Sequence, residues 1–388
     1  MKSNTTQPLA RIFSIDILRG VIMIIMALDH VRDYFTNVRF DPLDLSQTTP
    51  LLFFTRWITH FCAPTFIFLS GASAWLAGRK RTKKESAAFL FKRGLWLIFL
   101  ELTIIGFGWQ FDIGFHLFFT QVIWAIGWSM IFLSVLVFLP NTYIATIGLI
   151  LIFGHNLLDP IQSAQFGSAK PFWMFLHESN IYFWSKGRGV LLFYPIIPWI
   201  GVMAVGYAFG TLFALPATER KPLFIKIGLA CLVVFLILRI PNIYGDPFPW
   251  QHQAIWWKNI LAVIKVHKYP PSLAYLLMTL GISIIVLALL EGANNRLSRF
   301  FTVYGKVPFF YYLLHIYLIH ILQIIVAVAA GFNVKDMLSA FDKSPDHWGF
   351  SLPVVYLIWI AVIAILYLPC RWFMQVKSKR KDWWLSYI

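Results

Sequence analysis

The sequence predicts an all-α fold: a polytopic integral membrane bundle of about ten transmembrane helices, with the N-terminus and the C-terminus cytoplasmic. Three observations lead to this prediction. Of the 388 residues, 59% are hydrophobic and only 13% are charged, whereas a soluble domain is about half apolar and a quarter charged. The mean hydropathy is +0.69. The apolar residues also fall into blocks of about 20, the length at which a helix crosses a bilayer.

Ten apolar segments approach or reach this length. They are residues 13–32, 52–77, 87–108, 115–139, 142–158, 191–214, 223–240, 272–290, 307–330 and 352–373. The first segment carries Asp16 and Arg19 and is not followed by a small-residue cleavage site, so it predicts a retained span and not a signal peptide. A single transmembrane domain over residues 1–388 contains all ten.

The net charge of +16 is concentrated in four short basic runs, residues 78–85, 218–222, 294–306 and 377–382. Alternating the ten spans from a cytoplasmic N-terminus puts all four runs on the cytoplasmic side, as the positive-inside rule requires. Since no basic stripe lies on a soluble domain, nucleic-acid binding is not expected. The three cysteines are far apart in sequence and predict neither a disulfide framework nor a metal site.

The first span, in "LRGVIMIIMALDHVRDYF", carries a stripe of polar residues. Arg19 and His30 are 11 residues apart, which is about three helical turns plus 20°, so they share one face about 16 Å apart along the axis. Asp16 lies one turn before Arg19, and Asp33 lies one turn after His30. Asp29 points about 100° away. Ionisable residues inside a span indicate a functional site, although snorkelling of Arg19 and His30 to the two interfaces is the alternative.

A second polar set lies in "YGKVPFFYYLLHIYLIH", residues 304–320. Tyr311 and Tyr312 precede His315 by four and three residues, so each shares a helix face with it. His315 and His320 are about 140° apart and are not expected to chelate one metal. His315 is the deeper of the two. It is either part of a site or a core histidine bonded to a neighbouring helix.

Two further ionisable residues lie within or at the start of apolar segments. Glu101 lies in the third segment, with Lys92 and Arg93 about two turns earlier, and a lone intramembrane carboxylate needs a partner, for which Arg19 is one option. His60 begins the second segment and is expected to face the same outer cavity as His30.

Aromatic residues are frequent in two predicted outer segments, residues 159–190 and 241–271. One interpretation is an aromatic belt at the membrane interface. The other is a platform on which a sugar ring stacks. The motifs of zinc metalloproteases, P-loop proteins, dinucleotide-binding proteins and serine hydrolases are missing from the sequence.

Five stretches together resemble bacterial relatives of heparan-alpha-glucosaminide N-acetyltransferase and the wider membrane acyltransferase-3 superfamily. They are "SIDILRGVIMIIMALDH", "APTFIFLSGASAWL", "FLFKRGLWLIFLEL", "YPIIPWIGVMAVGYAFG" and "YGKVPFFYYLLHIYLIH". The stretches span nearly the whole chain, and although each is weak alone, their order is fairly specific. The resemblance implies an enzyme of the bacterial plasma membrane that moves an acetyl group from cytoplasmic acetyl-CoA to an amine or hydroxyl of a sugar on the outer face.

The resemblance matches Arg19 to an arginine associated with the acyl donor and His30 to a catalytic histidine. We expect Lys92 and Arg93 to help Arg19 hold the phosphates of acetyl-CoA. His30 would act as general base, oriented by Asp33 or Asp29, or would form an acetyl-histidine intermediate. His60 is the alternative catalytic histidine. The residues expected to bind the acceptor or stabilise the oxyanion are His315, Tyr311 and Glu101.

A transporter or lipid-handling protein is the alternative function, with the polar stripe serving as a proton or substrate path. The sequence shows no paired broken spans or inverted halves that would favour it. The lipid bilayer and a sugar or glycan acceptor are the expected partners. The identity of the acceptor, the length of the acyl group and the formation of a homo-oligomer are left open.

Overall fold

The computed structural model is a helical bundle that also contains a small sheet. It describes residues 12–338, 345, 347–380, 382 and 385. The predictions of a cytoplasmic N-terminus and a cytoplasmic C-terminus fall partly on residues outside these ranges. The helices of the first half are α1 (Phe13–Phe35), α2 (Pro50–Trp57), α3 (Cys62–Gly78), α4 (Lys83–Leu100), α5 (Gly106–Gln110), α6 (Val122–Leu136), α7 (Asn141–Gly154) and α8 (Lys170–Leu176). Those of the second half are α9 (Ile196–Phe209), α10 (Ala217–Arg239), α11 (Trp256–Ile264), α12 (Leu273–Leu289), α13 (Arg296–Lys306), α14 (Pro308–Ala329), α15 (Val334–Met337) and α16 (Leu352–Lys379).

Two of the long helices change their winding along their length. A 3-10 turn, Ile58–Phe61, joins α2 to α3, and a π-helical segment, Glu101–Ile105, joins α4 to α5. A π-helical turn inside an α-helix rotates the residues that follow it and often marks a functional position. The π-helical segment of this chain begins at the glutamate that the sequence singles out.

Within the described residues, six helices are long and apolar enough to cross a membrane. They are Pro50–Gly78, Asn141–Leu158, Ile196–Ala214, Ala217–Arg239, Pro308–Ala329 and Leu352–Lys379. Each coincides with a predicted span, which confirms the prediction of a helical membrane protein. The other four predicted spans contain α1, α4, α6 and α12. Of these, α6 and α12 have only 15 and 17 residues, and α1 and α4 carry several charges.

Helix α1 lies inside the bundle, packed against α3, α13, α14 and α16. The side chains of Asp16, Asp29 and Arg32 on this helix are all buried. Charged side chains inside a membrane protein are tolerated where they face other protein groups. The charges that keep α1 from being a simple lipid-facing span are therefore enclosed by the neighbouring helices.

The outer helices expose apolar side chains of the kind that contact lipid. On α10 these are Leu229, Val233, Leu236 and Ile237, and on α16 they are Leu357, Ile360, Ile365 and Leu368. Contiguous apolar surface of this extent is unusual on a soluble protein. It supports a bilayer around the bundle.

A three-stranded sheet corrects the all-α prediction. Strand β1 (Leu117–Thr120) pairs in parallel with β3 (Arg188–Leu192), and β2 (Asn180–Ser185) pairs antiparallel with β3. The predicted span 115–139 therefore starts as a strand, and span 191–214 begins with the last residues of β3. These strands are rich in aromatic and aliphatic residues, and a short apolar run does not distinguish a strand from a helix by periodicity.

Two glycines bring α1 and α13 into close contact. A Cβ atom added to Gly20 would overlap the backbone of Phe301, and one added to Gly305 would overlap the backbone of Asp16. Small residues at such positions let membrane helices approach backbone to backbone. This contact fixes the end of α1 that carries Arg19.

We predict that Gly305→Ala destabilises the protein by about 1–3 kcal/mol, because the added methyl group has no space between α1 and α13. Gly154→Ala is the matched control, since an added Cβ there has open space. Thermal unfolding of the two variants in detergent measures the difference. Equal melting temperatures would contradict the close packing of α1 on α13.

Candidate functional site

A cavity lined by basic residues, the basic cavity, lies beside the first half of α1. Its volume is about 560 Å³. Its cationic lining residues are Arg19, Arg93, Lys306 and Lys377, and no Asp or Glu of the described chain lines it. The rest of the wall is mostly apolar. The basic cavity therefore suits a ligand that has an anionic group and an apolar part.

The basic runs predicted to lie on one side of the membrane meet at this end of the bundle. Lys306 and Lys377 belong to the third and fourth runs and line the basic cavity. Arg220 of the second run binds the Glu291 carboxylate at 2.6 Å, and Ser14 at the start of α1 donates a hydrogen bond to the same carboxylate at 2.8 Å. The N-terminal end of α1 and these three runs therefore lie close together.

A second cavity, the histidine cavity, lies beside the other half of α1 and has a volume of about 260 Å³. Its ionisable lining residues are Asp29, His30, Asp33, Arg56 and Lys268. Its aromatic lining residues are Trp109, Phe193, Tyr194, Tyr269 and Tyr312. Polar groups that face aromatic rings across a small space are typical of a binding site for a small polar ligand.

The two cavities meet at three side chains that line both of them: Met26, Val122 and Tyr312. Arg19 lies in the basic cavity and His30 in the histidine cavity. The face that the helical spacing predicts for these two residues therefore borders two cavities that adjoin at these three side chains.

His30 is paired with His315 of α14. His30 Nδ1 lies 2.7 Å from His315 Nε2, and the two ring planes are within 13° of parallel. His315 Nδ1 lies 3.0 Å from the Tyr311 carbonyl oxygen, which can only accept a hydrogen bond. In a neutral pair, His315 therefore carries its proton on Nδ1 and accepts at Nε2, and His30 donates from Nδ1. This leaves Nε2 of His30 as the unprotonated nitrogen, available as a base.

The carboxylates predicted to orient His30 bind arginines instead. Asp29 accepts two contacts from Arg56 Nη1, at 2.8 and 2.6 Å, and one from Arg32 at 2.8 Å. Arg32 also contacts Asp33 at 2.5 Å, and Lys268 Nζ lies 3.9 Å from Asp29. Three cations thus surround two carboxylates, and the group that orients His30 is His315.

Two of the three expected donor-binding residues line the basic cavity. Arg19 is held by the Ser73 hydroxyl and by Asp16 at 3.8 Å, and Arg93 lies over the Phe89 ring. Lys92 is exposed and is not among the lining residues, because it lies about 100° around α4 from Arg93. Lys92 therefore lies outside the basic cavity, and Lys306 and Lys377 are the further cations that line it.

Glu101 does not pair with Arg19. Its carboxylate accepts a hydrogen bond from the Gln121 backbone N–H at 2.8 Å, at the residue that precedes α6. A carboxylate at the N-terminus of a helix satisfies a free N–H and interacts favourably with the helix dipole. Glu101 lines neither cavity, so it does not lie where it is expected to contact a substrate. Its contact with Gln121 instead positions the start of α6.

His60 is separated from the histidine cavity. It is buried, its Nδ1 lies 3.2 Å from the Arg56 carbonyl oxygen, and its ring packs against Tyr275. Thr59 and Cys62 line the cavity but His60 does not. The expectation that His60 faces the same cavity as His30 is therefore wrong.

Tyr311 also lines neither cavity. Its ring stacks on His315, with the planes 7° apart, and its carbonyl oxygen contacts the same histidine. Tyr311 therefore holds His315, whereas the neighbouring Tyr312 lines both cavities.

Several residues of the histidine cavity are not singled out by the sequence, among them Arg56, Lys268 and Tyr269. Arg56 is a charged residue next to an apolar run, which is a detectable signal. Lys268 and Tyr269 lie in a polar loop where nothing in the local sequence distinguishes them. Of the aromatic residues in the outer segments, Tyr269 lines the cavity, whereas Trp184 and Trp256 are exposed as in an aromatic belt.

The fold and the cavities define a helical integral membrane protein with a buried polar site. The family model for the catalytic domain of heparan-alpha-glucosaminide N-acetyltransferase matches residues 11–241. The chain therefore belongs to this family, which makes it a membrane N-acetyltransferase and confirms the resemblance seen in the motifs. No curated protein matches the chain. The matched region contains His30 and Arg19, and it ends before Lys268, Tyr312 and His315.

No group of three or more His, Cys, Asp or Glu side chains in the described residues is arranged to hold a metal ion. The acid–base groups of the histidine cavity are instead paired with arginines, with a lysine or with each other.

We predict that Asp29→Ala destabilises the protein by roughly 3–5 kcal/mol, because it removes the carboxylate that contacts both the buried Arg32 and the half-buried Arg56. Glu219→Gln removes an exposed carboxylate and is the control, with a change within about 0.5 kcal/mol. Thermal unfolding in detergent compares the two. A melting temperature of Asp29→Ala equal to that of the control would show that the ion cluster does not stabilise the fold.

Proposed function

We propose that the protein transfers an acetyl group from acetyl-CoA, bound in the basic cavity, to an amine or hydroxyl of a sugar in the histidine cavity. The observation that carries this proposal is the junction of the two cavities at Met26, Val122 and Tyr312. A donor that enters from one end and an acceptor that enters from the other would meet there without either crossing the bundle.

The charges and the apolar wall of the basic cavity support acetyl-CoA as the donor. Its four cations suit the phosphates and the sugar phosphate of coenzyme A, and its mostly apolar wall suits the uncharged pantetheine arm. Arg19 and His30 are about 16 Å apart along α1, a distance comparable to the length of that arm. A donor held by its phosphates near Arg19 would therefore present its thioester near His30.

The aromatic residues of the histidine cavity support a sugar as the acceptor. Tyr269 packs against Phe193 and Tyr194, with ring centroids 5.3 and 5.6 Å away, and sugar rings stack on such surfaces through their apolar faces. Arg56 and Lys268 offer hydrogen-bond donors to hydroxyl groups. These residues line the histidine cavity and not the basic cavity.

The histidine pair supports general base catalysis by His30. Its Nε2 would take a proton from the acceptor nitrogen as that nitrogen bonds to the thioester carbon. The C–S bond then breaks, and the proton moves from His30 to the departing sulfur, so that the products are the acetylated sugar and coenzyme A. His315 holds the tautomer and orientation of His30, the role that a carboxylate has in other catalytic histidine sites.

The positions of the charges favour the basic end of the bundle as the cytoplasmic end. With all ten apolar segments crossing the membrane, the N-terminus and the C-terminus are cytoplasmic, and residues 1–388 form a single transmembrane domain. In a bacterium this membrane is the plasma membrane. The donor then enters from the cytoplasm, and the acceptor binds from the outer face.

We predict that His30→Ala lowers kcat for acetyl transfer by roughly 10²–10⁴-fold, because a general base is lost. His60→Gln keeps kcat within a few-fold, because His60 lines neither cavity. The assay is transfer of labelled acetyl from acetyl-CoA to glucosamine and to glucosamine-containing oligosaccharides. If His30→Ala retains activity and His60→Gln loses it, the assignment of the catalytic histidine is reversed.

Solute uptake into proteoliposomes without acetyl-CoA, and without any acetyl transfer, would instead favour a transporter.

We predict that Arg19→Ala raises the KM for acetyl-CoA about 10-fold or more, because it removes a charge-assisted contact with a phosphate. Lys92→Ala is the matched control, since this cation is on the same end of the bundle but lies outside the cavity. Steady-state kinetics and the thermal stabilisation by coenzyme A measure the two variants. An effect of Lys92→Ala as large as that of Arg19→Ala would point to non-specific charge attraction.

A further inference from the structure

We propose that the hydroxyl of Tyr312 donates the hydrogen bond that stabilises the oxyanion formed when the acceptor attacks the thioester. This inference rests on the proposed function and adds a catalytic residue to it. Tyr312 lies outside the part of the chain that the family model matches.

The position of Tyr312 is the first argument. It is one of the three residues that line both cavities, and the other two, Met26 and Val122, are apolar. The carbonyl that reacts must pass this junction to meet an acceptor in the histidine cavity. Tyr312 therefore offers the polar side-chain group at the place where the negative charge develops.

The chemistry of the hydroxyl is the second argument. The Tyr312 side chain is 3% exposed, and none of the described residues accepts the proton of its hydroxyl group. The neighbouring Trp109 carries an indole N–H, which can donate to the phenol oxygen but cannot accept from it. A buried donor without an acceptor is costly unless a ligand completes it. The oxygen of the thioester would be that acceptor.

The orientation toward the base is the third argument. The Tyr312 and His30 rings are 6.4 Å apart between centroids and nearly perpendicular. A thioester carbonyl between the two rings would have His30, the base, on the side of the attacking sugar. The Tyr312 hydroxyl, the hydrogen-bond donor, would be on the side of the carbonyl oxygen. An oxyanion donor must be in place before the charge develops, and Tyr312 is fixed by its burial.

The other candidates from the sequence are already occupied. Both nitrogens of His315 have partners, one in His30 and one in the Tyr311 carbonyl. The Tyr311 ring packs between His315 and Tyr304, away from the cavities. Tyr312 is therefore the better of the two adjacent tyrosines for this role.

In this step a C–N bond forms and the C–S bond breaks. The acceptor nitrogen bonds to the carbonyl carbon, and the π electrons of the C=O bond move to oxygen, which accepts the hydrogen bond from Tyr312 without taking its proton. The proton of the nitrogen goes to His30 Nε2. When the C=O bond forms again, the C–S bond breaks, and the sulfur receives the proton from His30.

The test is Tyr312→Phe in the full-length protein in detergent. Loss of one oxyanion donor lowers kcat by about 10²–10³-fold, with the KM for acetyl-CoA within about two-fold of wild type. Tyr34→Phe is the matched control: it removes a buried hydroxyl that donates to the Trp109 carbonyl at 2.5 Å but lines neither cavity, so kcat stays within a few-fold. A kcat of Tyr312→Phe equal to that of the control, or a raised KM with normal kcat, overturns the inference.

A second measurement works in the wild-type protein and does not depend on how well the variant folds. S-acetonyl-CoA, a ketone analogue that cannot transfer its acyl group, is bound with a ¹³C-labelled carbonyl, and its stretching frequency is recorded by difference infrared spectroscopy. A hydrogen bond from Tyr312 lowers this frequency relative to the ketone in an apolar solvent. An unshifted frequency overturns the inference even if acetyl transfer itself is confirmed, whereas wild-type protein without any acetyl transfer refutes the proposed function instead.

Discussion

The burial of the charges on α1 is the constraint on which the rest of the bundle depends. A helix with Asp16, Arg19, Asp29 and Arg32 along its length is costly in contact with lipid. The other helices surround it and supply partners, which include Arg56 from α2 for Asp29 and His315 from α14 for His30. The glycine contact between α1 and α13 belongs to the same enclosure. The helix that carries the most charge thus becomes the centre of the protein.

Enclosing these charges also creates the site. The side chains around Arg19 leave a basic cavity, and those around His30 leave a smaller polar cavity, with Met26 of α1 at the boundary. The proposed separation of the donor-binding site from the acceptor-binding site follows from the length of α1, which carries Arg19 in one cavity and His30 in the other. The N-terminus of α6, held by Glu101 through Gln121, contributes Val122 to the junction. A change in the π-helical segment that positions Glu101 would therefore displace the start of α6 at the junction, although Glu101 itself lines neither cavity.

The sequence predicts what depends on periodicity and local composition. The existence of the helices and the shared face of Arg19 and His30 follow from the 3.6-residue repeat and from the length of apolar runs. The contact between His30 and His315 joins residues 285 apart in the chain, and no local pattern specifies it. The same is true of Lys268, which approaches Asp29 from a polar loop. Short apolar runs have no decisive period, so the sequence does not predict the strands. The sequence suggests a charged partner for Glu101, such as Arg19, because it does not reveal that a backbone N–H is within reach.

In the proposed mechanism, the donor and acceptor sites form one route through the protein, joined at Tyr312. A structure with the non-transferable S-acetonyl-CoA bound is the sharpest test of this mechanism. We expect phosphates among Arg19, Arg93, Lys306 and Lys377, a pantetheine arm along α1 and the ketone carbonyl at the junction beside Tyr312 and His30. A coenzyme bound elsewhere, or with its carbonyl far from His30, would contradict it.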